Sequence, residues 1–189
     1  MPAARNDAGS PTTPAAPHPT PPTMSPAAPP PTAWTMPSDR EVVATRTFAA
    51  PRALVFDAWT TPEHVRRWYG LRFLTMTTCE IDRRPGGRYR YVLRAPDGSE
   101  YAFSGVYREV VRPERLVHTW EFEAMPGTAS VGTVTFAENA GRTTVTMHTR
   151  FQTPEHYAGW AATGGREGMA ETLDRLDELL PELLAAHGR

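Results

Sequence analysis

The chain has 189 residues, enough for one domain with a sizeable core, and a formal net charge of −1. Near-neutrality argues against a nucleic-acid partner, which calls for a basic excess. All 20 basic residues are arginine, so the chain lacks the lysine that Schiff-base chemistry, a lysine-bound pyridoxal group or a P-loop needs.

Residues 1–38 hold 12 of the 20 prolines among Ala, Thr and Ser, with almost no large apolar side chains. Such a segment buries too little surface to offset its ordering entropy and reads as a disordered tail, leaving 39–189 as the folded domain. It carries no continuous apolar stretch of the kind a secretory leader or a membrane span requires, so no membrane association and a cytoplasmic location are expected. Glu41–Ala49 alternates as a first strand. Pro51 then opens a short helix bearing Leu54, Val55, Ala58 and Trp59. Thr61-Pro62-Glu63 starts a second short helix, with Val65 and Trp68 on one side, that ends at Gly70.

Leu71–Asp82 reads as the next strand, and Arg83–Phe122 as three more. Asp97-Gly98 supplies the hairpin turn between the first two of these, and a Pro-containing turn at Pro113 precedes the third. These strands carry aromatic residues at period two: Tyr89 and Tyr91, then Tyr101, Phe103 and Tyr107, then Trp120 and Phe122. Residues two apart share a strand face, so the rings are expected on one concave wall. Arg88, Arg90 and Arg94 then fall on the opposite, solvated face. Val131–Ala137 and Thr143–Phe151 form a last hairpin, with Val145, Met147 and Phe151 on its apolar face.

From Thr153-Pro154-Glu155 onward the period becomes helical, and Met169, Leu173, Leu176, Leu180 and Leu183 make one apolar stripe. Pro181 is expected to end or kink this helix. The elements add up to an α+β fold: a curved antiparallel sheet of about six to seven strands wrapped round a long C-terminal helix, with two short helices after strand 1. A curved sheet cannot close everywhere on a straight helix, and the space left between them is where a ligand cavity is expected.

The order of elements and the runs DAWTTPEHVRRWYG, RRPGGRYRY, PDGSEYAFSG, PERLVHTW, GRTTVTMHTRF and EGMAETLDRLDELL resemble the START-like helix-grip superfamily, also called SRPBCC, whose fold is that of Bet v 1. Within it they are similar to the branch named for the activator of the Hsp90 ATPase, over residues 40–184. One departure is visible, because Gly168 is followed by Met169 where similar proteins carry Gly-Trp; Trp160, from an earlier turn, is expected to supply an indole to the same region. The resemblance implies binding or sequestration of a hydrophobic, aromatic small molecule. Its alternatives are a polyketide cyclase-like enzyme and an Hsp90-type cochaperone or protein-interaction module.

Little in the chain points to catalysis. Cys79, the only cysteine, sits in the strand-like run TMTTCEID and reads as a small buried residue, with no disulfide or thiolate cluster possible. The histidines form no HExxH or other close-spaced metal pattern, and no GxSxG occurs, so neither metal nor cofactor is expected. His118 shares a strand face with Leu116, Trp120 and Phe122. It is either a general base or ligand-orienting group, or a half-buried histidine bonded to a neighbour. Tyr107 and Glu109, two apart, are read as a polar handle, with surface placement of Glu109 equally open. The expected ligand-binding set is Trp59, Trp68, Tyr89, Tyr91, Tyr101, Phe103, Tyr107, Glu109, His118, Trp120, Met147, Trp160 and Met169. Self-association as a homodimer is a further expectation.

Overall fold

The computed structural model describes residues 31–187. Its strands are β1 (Ala33–Ser38), β2 (Glu41–Phe48), β3 (Thr75–Ile81), β4 (Arg88–Arg94), β5 (Glu100–Val111), β6 (Arg115–Phe122), β7 (Ser130–Asn139) and β8 (Arg142–Arg150). They form one antiparallel sheet in the order β1-β2-β8-β7-β6-β5-β4-β3. Helices α1 (Arg52–Thr60) and α2 (Pro62–Trp68) follow β2, and α3 (Pro154–Ala162) and α4 (Gly165–His187) follow β8.

The sheet has eight strands rather than six to seven, and the additional one is β1, cut from residues read as tail. It is an outermost strand with little apolar alternation, and it contains Pro37. A residue that cannot donate to the ladder is confined to sheet edges, strand starts and bulges, and Pro37 lies within the register shift between Thr35 and Ser38. The folded domain therefore begins before Ser38; residues 1–30 of the tail lie outside the described residues. β3 starts at Thr75, because Leu71–Leu74 closes a turn in which Leu74 N–H donates to Leu71 O at 3.0 Å.

The last helical region is two helices, broken at Thr163-Gly164, where Gly164 adopts φ +77. Pro181 does not end α4, which continues to His187. The apolar stripe of α4 is nevertheless as expected: Leu173, Leu176, Leu180 and Leu183 are buried, joined by Leu179. They share one core with Ala44 and Phe48 of β2, Val134 and Phe136 of β7 and Val145 of β8. Arg88, Arg90 and Arg94 stand on the solvated side of β4, the last two paired with Glu123 and Glu100. Among the described residues no helix is long and apolar enough to cross a membrane.

Candidate functional site

Between the concave face of the sheet and the helices lies a small cavity of about 50 Å³. It is lined by Trp59, Val65, Trp68, Tyr69, Tyr89, Tyr91, Tyr107, Leu116, His118 and Trp120. Period two delivers the sheet side: Tyr89 and Tyr91 from β4, Tyr107 from β5, and Leu116, His118 and Trp120 from β6. Helical spacing delivers the rest, since Val65, Trp68 and Tyr69 are three and four residues apart. Rings fill most of the space. Tyr69 and Tyr91 lie 4.8 Å apart by centroid, Tyr89 and Tyr91 5.0 Å, and Tyr89 and Tyr107 5.3 Å.

The polar side of this cavity rests on a local opening of the β5–β6 ladder. Thr119 turns its hydroxyl to Val106 N–H, which donates to it at 2.9 Å, and leaves its own carbonyl to buried side chains. Tyr89 Oη donates to that carbonyl at 2.6 Å, and His118 Nδ1 lies 3.1 Å from both the carbonyl oxygen and Tyr89 Oη. A carbonyl only accepts, so the proton sits on Nδ1 and Nε2 is the acceptor of the ring. Two glycines make room for the arrangement. A β-carbon at Gly132 would come within 3.1 Å of His118 Nε2, and one at Gly105 within 2.6 Å of Tyr89 Oη.

Burial keeps every one of these groups neutral. It pushes the Tyr69 phenol up to about 12, with the hydrogen bond from Trp120 Nε1 opposing it, and the Tyr107 phenol up to about 12, opposed by a hydrogen bond from Tyr91. Tyr89 and Tyr91 are raised well above the ordinary phenol value by the same cause. His118 moves the other way, below its usual 6.5, because burial disfavours the imidazolium. The wall thus offers neutral donors and one neutral imidazole.

A pH dependence follows from the lowered His118 value. As pH falls through about 6.5 the unfolded chain takes up this proton before the folded chain does. Stability from the neutral ring is therefore complete above that pH and is lost on acidification until the folded ring itself titrates. Urea titrations at successive pH should show a shallower acid loss in His118→Phe than in wild type; parallel curves would show that His118 is not held neutral by its surroundings.

Seven of the thirteen expected residues line the cavity: Trp59, Trp68, Tyr89, Tyr91, Tyr107, His118 and Trp120. Six do not. A bulge in β5 between Tyr107 and Glu109 sets Glu109 opposite Val117, so it faces away from His118 and lies 3.6 Å from Arg115 at the surface. Trp160 packs with Phe151 and Tyr157 in a separate cluster and covers Gly165, where an added β-carbon would meet the indole at 2.2 Å. Met147 belongs to the core and Met169 packs on its edge. Phe103 stacks on Trp120 outside the cavity, and Tyr101 is 39% exposed beyond it. Tyr69, Val65 and Leu116 complete the lining. Cys79 is buried, and burial pushes its thiol up to about 11, as befits an inert core residue. Among the described residues no cluster of His, Cys, Asp or Glu is arranged to hold a metal ion.

A curved antiparallel sheet gripping a long C-terminal helix, with an aromatic cavity between them, defines an α+β protein of the START-like helix-grip class. The chain belongs to the family described as Activator of Hsp90 ATPase homolog 1-like protein, whose pattern matches residues 49–181. Solved structures agree. A Rhodobacter sphaeroides protein is 26% identical with a TM-score of 0.75, the match covering 80% of this chain and 99% of that one. A Mycobacterium smegmatis protein is 26% identical at TM-score 0.72, covering 80% and 97%. A Staphylococcus epidermidis protein is 28% identical at 0.68, covering 78% and 93%. No curated protein matches the chain.

Proposed function

We propose that this protein binds a neutral, largely apolar small molecule that carries one hydroxyl or carbonyl group. The observation that carries this reading is the set of neutral polar groups on an otherwise aromatic wall: the half-buried His118 and Tyr69 and the buried phenols of Tyr89, Tyr91 and Tyr107. Such groups cost stability wherever their hydrogen bonds are incomplete, and ligand sites are where that cost is recovered. The absence of any carboxylate from the ten lining residues favours binding over acid-base catalysis. At about 50 Å³ the cavity has room for ordered water and not for a whole ligand, so binding requires the wall to open.

Fluorescence titration with 2-naphthol and naphthalene tests this reading, since the two differ by one hydroxyl. Wild type should prefer 2-naphthol by about tenfold, as expected for one buried hydrogen bond, and His118→Phe should lose that preference while retaining its fold. Equal affinity of wild type for the two compounds would overturn the assignment of a polar subsite.

A further inference from the structure

The only side chain of the α2–β3 connection that lines the cavity is Tyr69, and its backbone neighbours hold it there in an unusual way. Apart from the Tyr69 ring, which packs on Trp68 and Tyr91, the segment is seated on apolar neighbours at two glycines. Gly70, at φ +95, lies so close to Leu93 that a β-carbon would come within 2.8 Å, and Leu71 reaches the position of Gly168. The remaining ties are polar and run to one face of α4. The Arg175 guanidinium donates to Gly70 O at 2.9 Å, to Leu71 O at 3.3 Å and to Arg67 O at 3.0 Å. Glu171 accepts from Arg72 N–H at 2.7 Å, and Glu178 takes the Arg72 guanidinium at 2.5 and 3.0 Å. The Arg72–Glu178 pair is more than half exposed, so it contributes little and is readily exchanged for water.

Behind Tyr69 the aromatic wall does not stop. Trp120, which donates through Nε1 to Tyr69 Oη, stacks on Phe103 at 5.2 Å and 22°; Phe103 meets Phe122 at 5.2 Å, and Phe122 stacks with Tyr101 at 6.4 Å and 24°. This rail leads from the cavity to the surface, and Tyr69 stands where the two join.

We propose that Tyr69–Arg72 is a cover latched to α4 through Arg175, Glu171 and Glu178, and that its release joins the cavity and the rail into one trough. The flat apolar part of the ligand lies along Phe103 and Phe122, and its polar group reaches His118. This rests on the binding reading above. Release needs no change in the sheet, because the cover's hydrogen bonds run to α4, to its own turn and, through Tyr69 N–H, to Val65 O of α2, apart from the single bond between Tyr69 and Trp120. The trough also explains how a cavity of about 50 Å³ admits a ligand larger than itself.

Two measurements on the full chain test the proposal. Amide hydrogen exchange reads the latch: Arg175→Met should speed exchange at Gly70–Leu74 at least tenfold and leave the β7–β8 amides unchanged, with Glu178→Gln as a milder variant should Arg175→Met fold poorly. Stopped-flow association of 2-naphthol reads the cover: it should be faster in Arg175→Met, and fast in Tyr69→Ala even with the latch intact. Exchange that rises evenly across the fold, or not at all, would overturn the latch. Unchanged association in both variants, with 2-naphthol still binding, would overturn Tyr69 as the gate. Faster exchange at the cover with no 2-naphthol binding in any variant would overturn the binding reading and the outer subsite, and would leave the latch standing.

Discussion

Replacing both Asp174 and Asp177 with asparagine is expected to cost about 3–5 kcal/mol of folding stability, the range for stranding a buried charge, whereas Arg46→Met should cost far less. Arg46 is the anomaly of β2. It occupies the inward register with Val42, Ala44 and Phe48, and it is only 3% exposed. Its guanidinium lies 2.5 Å from Asp174 and 3.6 Å from Asp177, both on α4, and 5.8 Å above the Phe48 ring. Nε and one terminal nitrogen have no hydrogen-bond partner.

The burden is unequal, because the arginine is enclosed while Asp174 and Asp177 retain 46% and 22% side-chain exposure. Removing the carboxylates leaves an enclosed charge without a counter-ion, held only by neutral acceptors such as Thr32 Oγ1 at 3.4 Å. Removing the arginine leaves carboxylates that water can reach, although burial already holds the Asp177 carboxyl above its ordinary range. Urea unfolding of the single, double and triple variants should therefore show the triple variant recovering most of what the double variant loses. An Arg46→Met variant as unstable as the Asp174→Asn/Asp177→Asn pair would contradict this assignment.

Gly105→Ala is the second substitution of large expected effect, about 3 kcal/mol or more. Its β-carbon would stand 2.0 Å from Thr119 O and 2.6 Å from the Tyr89 ring. Neither can yield cheaply, because Thr119 O accepts from Tyr89 Oη and lies beside His118 Nδ1, and the Tyr89 ring is enclosed by Tyr91 and Tyr107. Strand separation or loss of the Tyr89–Thr119 bond must follow. Thermal unfolding would register the first and the tyrosine ring resonances the second. An alanine variant as stable as wild type, with Tyr89 unmoved, would show that the ladder opening at Thr119 is not required.

Much of this was legible in the chain because strands and helices impose simple periods. Tyr89, Tyr91, Tyr107, His118 and Trp120 converge as their alternation implies, and the leucines of α4 fall inward at helical spacing. The misses have physical causes. A single bulge after Tyr107 reverses the side on which Glu109 emerges, and counting by twos cannot reveal it. β1 is an edge strand with a proline and few buried side chains, so it resembles the segment before it. Trp160 and Met169 lie on either side of the Thr163-Gly164 break, which redirects the indole toward Phe151. Tyr69 follows Trp68 just beyond the end of α2, and its spacing from Val65 was the available signal. The turned Thr119 carbonyl, on which the polar side of the cavity depends, leaves no mark in residue type.

The most direct measurement is NMR of the aromatic and imidazole ring resonances during titration with 2-naphthol. The rings of His118, Tyr69, Tyr89 and Trp120 should shift together and saturate at one equivalent, with Phe103 and Phe122 following and the Phe151–Tyr157–Trp160 cluster unmoved. Shifts confined to surface rings, or an unperturbed His118 at saturation, would contradict a ligand site between sheet and helix.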